Sequence, residues 1–93
     1  PRTVNPEKHP HDEKQITVSV DNRGQLYLDQ DILLPRQLVS QLSDIRLKSP
    51  DKRIMIKADK DLNYGSVREV MMMCNEAGFT GVGLIVEKLK ERE

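Results

Sequence analysis

The chain has 93 residues, 37% of them hydrophobic and 32% charged, and a formal net charge of zero. That length and balance suit one globular domain with a modest core, and the zero charge removes the electrostatic drive toward nucleic acid or anionic membrane. A single cysteine, Cys74, excludes an intramolecular disulfide or a Cys-based zinc cluster, and Tyr27, Tyr64 and Phe79 alone make a poor base-stacking platform.

Residues 1–14, PRTVNPEKHPHDEK, hold three prolines, two histidines and one aliphatic residue, Val4. Such a stretch cannot bury enough surface to offset its ordering entropy, so it is expected to be a linker mobile on the nanosecond scale. The folded domain is expected over 15–88, with a charged tail over 89–93. Ile16, Val18 and Val20 alternate with Thr17 and Ser19, Asp21-Asn22-Arg23-Gly24 is a turn signal, and Leu26 and Leu28 resume the alternation. Residues 15–29 therefore predict a β-hairpin, followed by a short extended piece at Asp31-Ile32-Leu33. Pro35 opens a predicted helix to Leu47, with Leu34, Leu38, Val39, Leu42 and Ile45 at helical spacing. Ile54, Ile56 and Ala58 alternate as a third strand. A second helix is predicted over Tyr64–Ala77 with the stripe Val67, Val70, Met71, Cys74 and Ala77, closed by a left-handed Gly78. Val82–Val86 is the last strand. The order β-β-α-β-α-β predicts an α/β two-layer sandwich: a mixed sheet with two helices on one face, the other face open.

No apolar run approaches the roughly 20 residues that span a bilayer, and no signal peptide is visible. A chain that opens at Pro1 without Met reads as a processed or excised piece, so any membrane anchor is expected outside it.

Chemistry-bearing motifs are few. There is no nucleophile elbow, no HExxH and no phosphate loop. His9 and His11 lie in the linker, where a mobile segment cannot hold an acid or base against a substrate. Asp59-x-Asp61-x-Asn63 starts like a calcium loop, but Tyr64 and Val70 stand where such a loop needs Gly and Glu, so a helix-capping turn is expected. Gly78-x-x-Gly81-x-Gly83 reverses the dinucleotide fingerprint and lies between a helix and a strand, the wrong context. Met71, Met72, Met73 and Cys74 point in four directions and cannot converge on a metal; Met71 and Cys74 are expected in the core, Met72 and Met73 at its margin or on the surface. Arg46, Lys48, Lys52, Arg53, Lys57 and Lys60 form the one basic concentration, expected to be a solvated face. No catalytic residue, cofactor or metal is assigned, and the chain is expected not to be an enzyme.

Two stretches carry a resemblance. Ile16-Thr17-Val18-Ser19-Val20-Asp21-x-x-Gly24-Gln25-Leu26-Tyr27-Leu28 resembles the first hairpin of the ExbD/TolR biopolymer-transport family. Ile56-x-Ala58-Asp59-Lys60-x-x-x-Tyr64-Gly65-x-Val67-x-x-Val70-Met71, continuing to Ala77-Gly78-Phe79-x-x-Val82-Gly83-Leu84, is its more specific part. The resemblance implies the dimeric periplasmic domain of a single-pass inner-membrane protein of Gram-negative bacteria. With an ExbB-like proton channel such proteins power TonB, for uptake of iron siderophores, or TolA, for outer-membrane integrity. The proton-responsive aspartate belongs to the membrane helix, which this sequence lacks. Ala58-Asp59-Lys60 favours the ExbD branch; the alternative is a TolR-like subunit binding peptidoglycan.

Two surfaces are singled out as candidate sites. The strand Gly81, Val82, Gly83, Leu84, Ile85, Val86 is apolar on both faces and is the candidate edge for a second copy or a TonB segment. Tyr27, Met55 and Ile85 are the candidate open-face patch, which a second copy could cover, giving a homodimer. The competing reading, an RNA-binding sheet over Thr17, Ser19, Tyr27, Met55, Lys57 and Ile85, has one aromatic and no paired stacking motif, so no nucleic-acid partner is expected.

Overall fold

The computed structural model describes residues 14–89. The linker residues 1–13, with His9 and His11, and the tail residues 90–93 lie outside the described residues. The elements run β1 (Gln15–Val20), β2 (Leu26–Leu28), β3 (Asp31–Leu33), α1 (Pro35–Lys48), β4 (Arg53–Asp59), α2 (Tyr64–Glu76) and β5 (Val82–Glu87). They form a five-stranded sheet in the order β3-β2-β1-β4-β5.

The hairpin forms because Asp21 organises its own turn. One carboxylate oxygen accepts the amides of Arg23 and Gln25, each at 2.9 Å, and Gly24 takes the left-handed conformation, φ 82°, that a side chain would strain. β2 and β3 are joined through Asp29, whose φ of 55° is a conformation Asp tolerates better than most residues. The extended piece at Asp31–Leu33 is thus a third strand, paired antiparallel with β2, which adds an edge to the expected hairpin.

Both crossovers are parallel: β1 pairs with β4 from Ile16–Ile54 to Val20–Ala58, and β4 with β5 from Ile54–Val82 to Asp59–Glu87. One sheet face carries Ile16, Val18, Val20, Leu26, Leu28, Ile54, Ile56 and Ala58, all buried under Leu38 and Leu42 of α1 and Val70 and Cys74 of α2. The helices therefore share one face, as the α/β two-layer pattern predicts. Cys74 is buried as expected, and Met72 is exposed and Met73 half-buried at the margin, but Met71, expected in the core, is also only half-buried: one turn of α2 from Cys74, it lies beside the buried stripe and packs against the core's edge.

The helix ends follow local chemistry. Leu34 has no polar side chain to cap α1, and Gln37 reaches back instead, accepting the Leu34 amide at 2.8 Å. Asn63 caps α2, its side-chain oxygen accepting from the Ser66 amide at 2.9 Å. At the far end Gly78, φ 107°, lets its own amide reach the Asn75 carbonyl at 2.9 Å while Phe79 donates to Cys74 at 3.0 Å, and buried Phe79 closes the turn. Arg46 ties this end down: its guanidinium donates to the Gly78 carbonyl at 3.0 Å and to the Pro50 carbonyl at 2.6 Å. Arg46 is therefore a structural member of the basic concentration.

Candidate functional site: the β5 edge and the open sheet face

β5 lies at an edge of the sheet, so one side of its backbone has no neighbouring strand among the described residues. Its apolar residues are only partly covered. Leu84 and Val86 continue the helix-facing rows of Ile56 and Ala58 but remain 40% and 58% exposed. α1 packs against β2 and β3 and α2 against β4, leaving the outer strand β5 largely uncovered, which is why an apolar alternation that buries two strands does not bury the third. On the opposite face Ile85 is 39% exposed, and Gly83 lies against Met55, whose Sδ and Cε would meet an added Cβ at 3.1 and 3.0 Å.

The direction of the free edge follows from one hydrogen bond. The Lys60 amide donates to the Glu87 carbonyl at 3.0 Å, so Glu87 turns its peptide groups toward β4. Alternation along a strand then turns those of Ile85 and Gly83 inward too, and those of Leu84 and Val86 outward. The outward amides thus belong to the residues with the exposed apolar side chains on the helix side. Gly81 precedes the strand in open space, with nothing within 4 Å of where a Cβ would stand, and Val82 is half-buried against the core.

The open face carries Ile32, Tyr27, Ser19, Lys57 and Ile85 across one rung, and Thr17, Met55 and Gly83 across the neighbouring part of the ladder. Tyr27, Met55 and Ile85 share this face. Met55 and Ile85 sit together on the β4–β5 side, whereas Tyr27 joins Ile32 on the β2–β3 side, with Ser19 and Lys57 between. Tyr27 and Ile85 stand three strands apart, about 14 Å at ordinary strand spacing. The Tyr27 hydroxyl bonds to the Asp21 carboxylate at 3.1 Å, on the oxygen the turn amides leave free.

At the carboxyl ends of β1 and β4 the same face opens into a cleft of about 410 Å3, lined by Ser19, Tyr27, Asp29, Ile32, Asp59 and Leu89 beside the Asp21–Gln25 turn. Asp59 is the buried charged residue of the described chain, 3% exposed. Its Oδ1 accepts the Asp61 amide at 2.9 Å and its Oδ2 accepts the Leu89 amide at 3.3 Å. Lys88 pairs with Asp61 at 3.0 Å, and this ammonium holds the Asp61 carboxyl below its ordinary value, with nearby Lys60 adding to the effect. The expected capping turn is accordingly shared: Asn63 caps α2, while Asp59 organises the 59–61 turn and reaches residue 89. Sequence spacing signals the first two roles and carries no sign of the third, which joins residues 30 positions apart.

Cys74 is fully buried between α2 and the sheet, and burial pushes its thiol up to about 11. Among the described residues no group of three or more His, Cys, Asp or Glu side chains is placed to hold a metal ion, and no helix is long and apolar enough to cross a membrane.

A family model described as "Biopolymer transport protein ExbD/TolR" matches residues 1–89. The chain is 30% identical over 79 residues to "Biopolymer transport protein ExbD" of Pseudomonas aeruginosa, covering 85% of this chain and 59% of that one. It is 35% identical over 77 residues to the protein of the same name from Pseudomonas putida, covering 82% and 54%. "Tol-Pal system protein TolR" of Pseudomonas aeruginosa is 37% identical over 51 residues, which is 55% of this chain and 35% of that one. The chain thus spans between 54% and 59% of the length of these two ExbD relatives.

Proposed function

Because the chain belongs to the ExbD/TolR family of biopolymer transport proteins, we propose that it is the periplasmic domain of an ExbD-type inner-membrane transducer of the proton-motive force, which energises TonB-dependent transport across the outer membrane. In this reading it works by dimerising and binding partners, a TonB-like protein and an ExbB-like proton channel, and performs no catalysis. The anchor and the proton-responsive aspartate lie upstream of Pro1. The observation that carries the ExbD branch is coverage: two relatives named ExbD align over 82% and 85% of this chain, the one named TolR over 55%.

The β5 edge is the surface we assign to capture. Its outward amides at Leu84 and Val86 offer a ladder to an extended segment, and the exposed side chains of the same residues offer apolar contact on the helix side. A second copy can use the same edge, so dimerisation and capture compete. The Met55–Ile85 pair on the open face supplies further apolar area for that contact.

The higher identity to TolR over its shorter span supports a second reading, a Tol-Pal subunit that binds peptidoglycan and supports outer-membrane integrity. Deleting the gene for this chain in its own bacterium separates the two. The ExbD reading expects loss of iron–siderophore uptake with periplasmic enzymes retained. Leakage of periplasmic enzymes with uptake intact favours the TolR reading, and an unchanged strain contradicts both.

A further inference from the structure

The cleft at the carboxyl ends of β1 and β4 is a separate surface from the β5 edge, and it stands or falls independently of the capture surface assigned above. Three features distinguish it from an ordinary surface depression. Its floor holds a carboxylate, Asp59, that is 3% exposed, and buried carboxylates need partners to offset their desolvation. One oxygen of that carboxylate is served by the adjacent turn, through the Asp61 amide at 2.9 Å. The other is served from 30 residues away by the backbone amide of Leu89, whose half-buried residue lines the cleft beside Tyr27 and Ile32.

The tail therefore meets the cleft as a peptide ligand would. A main-chain N–H binds the buried carboxylate, an apolar side chain lines the cleft, and the preceding basic side chain, Lys88, pairs with Asp61 at 3.0 Å just outside it. We propose that this cleft recognises an extended segment of a partner protein in which a basic residue is followed by a branched apolar one, and that Lys88-Leu89 is the chain's own built-in occupant, which the partner displaces. The chemistry commits to a peptide. The recognised group is a backbone amide and its flanking side chains, and the lining, with Asp21, Asp29 and Asp59 against the single cation Arg23, disfavours an anionic ligand. Holding the tail in place keeps Asp59 paired until the partner arrives, and makes the apparent affinity of the partner lower than its intrinsic one.

The test uses the full chain and a blocked pentapeptide, Glu-Lys-Leu-Lys-Glu, which repeats residues 87–91. Leu89→Pro removes the amide donor without touching the sheet, whose last strand ends at Glu87. Backbone amide shifts are followed in the original chain and in L89P. The proposal expects the peptide to move the amides of Ser19, Tyr27, Asp59 and Asp61, and to bind L89P roughly tenfold more tightly, the worth of one hydrogen bond to a charged group. A control peptide with Leu replaced by Asp should bind neither chain. Equal affinity for both chains shows that the tail is not the occupant and overturns the displacement. Shifts confined to residues 82–87, or no binding at millimolar peptide, overturn the cleft as a recognition site. If the unliganded chain already exchanges tails between copies, the Asp61 and Leu89 amide shifts of the original chain will vary with protein concentration, and that result overturns the partner assignment in favour of a second copy. Asp59→Asn serves as a second variant: it keeps the size of the side chain and should weaken the peptide in both backgrounds.

Discussion

Two neighbouring proline substitutions in β5 should behave in opposite ways. Gly83 turns its amide toward β4, as the Lys60–Glu87 bond and strand alternation require, and Leu84 turns its amide away from the sheet. Gly83→Pro deletes a ladder donor inside the domain. It strands an inward-facing carbonyl at a cost of about 1–3 kcal/mol, and the proline ring presses on the Met55 thioether, which lies within 3.1 Å of an added Cβ. A destabilisation of about 2–4 kcal/mol is expected, a large part of the margin of a small domain. Leu84→Pro leaves the β4 ladder intact. It gives up part of one side chain that is already 40% exposed, about 1 kcal/mol by area. Its effect falls on the free edge, where it removes an outward donor and places a ring in the path of an added strand. Urea unfolding measures the first quantity, and titration with an extended TonB periplasmic peptide measures the second. The expected pattern is a folded L84P chain with capture weakened by roughly tenfold or more, and a G83P chain whose urea midpoint falls sharply. A G83P chain as stable as the original, or an L84P chain that captures peptide unimpaired, refutes the edge geometry.

Other outcomes follow from single groups. Cys74, buried with its thiol pushed up to about 11, should resist a thiol-specific reagent at pH 8 in the folded chain and react at once in urea; prompt labelling of the native chain contradicts its packing. Asp61 has its folded pKa lowered by Lys88, so the stability it contributes is present above the unfolded carboxylate value and is lost as pH falls through the folded one. Both side chains are well exposed, so the effect is small, and Lys88→Met should flatten that acid limb of the stability curve; an unchanged limb assigns the slope to other carboxylates. Leu42→Ala, at a fully buried position of α1, should cost about 2–5 kcal/mol in urea unfolding, and a cost under about 1 would show a core looser than the packing indicates.

The sequence signals for the fold were those with a strict period. Alternation marked β1, β2 and β4, the 3.6-residue stripe marked both helices, and Gly78 marked the end of α2, because each is a local consequence of which face is buried. β3 was legible only as an extended piece: three residues show too little alternation to declare a strand, and its pairing depends on the left-handed Asp29 turn. The apolar pattern of β5 gave its type but not its cover, since Leu84 and Val86 are exposed by where the helices stop and not by anything in residues 82–86. The direction of its amides likewise depends on register with β4. Parity puts Tyr27, Met55 and Ile85 on one face, as the register has them, while their separation across four strands is a property of sheet order. The Asp59–Leu89 contact has no sequence signature at all, because Asp59 in a turn motif looks like any capping acid.

The most direct measurement for the proposed function is a titration of the full chain with the periplasmic segment of a TonB protein, followed residue by residue through backbone amide shifts. Capture by strand addition predicts the largest shifts at Leu84 and Val86, whose amides face outward, with smaller ones at Gly83 and Ile85. Shifts confined to the basic residues between Lys52 and Lys60, with residues 81–86 unmoved, would contradict it and assign the contact to an electrostatic surface.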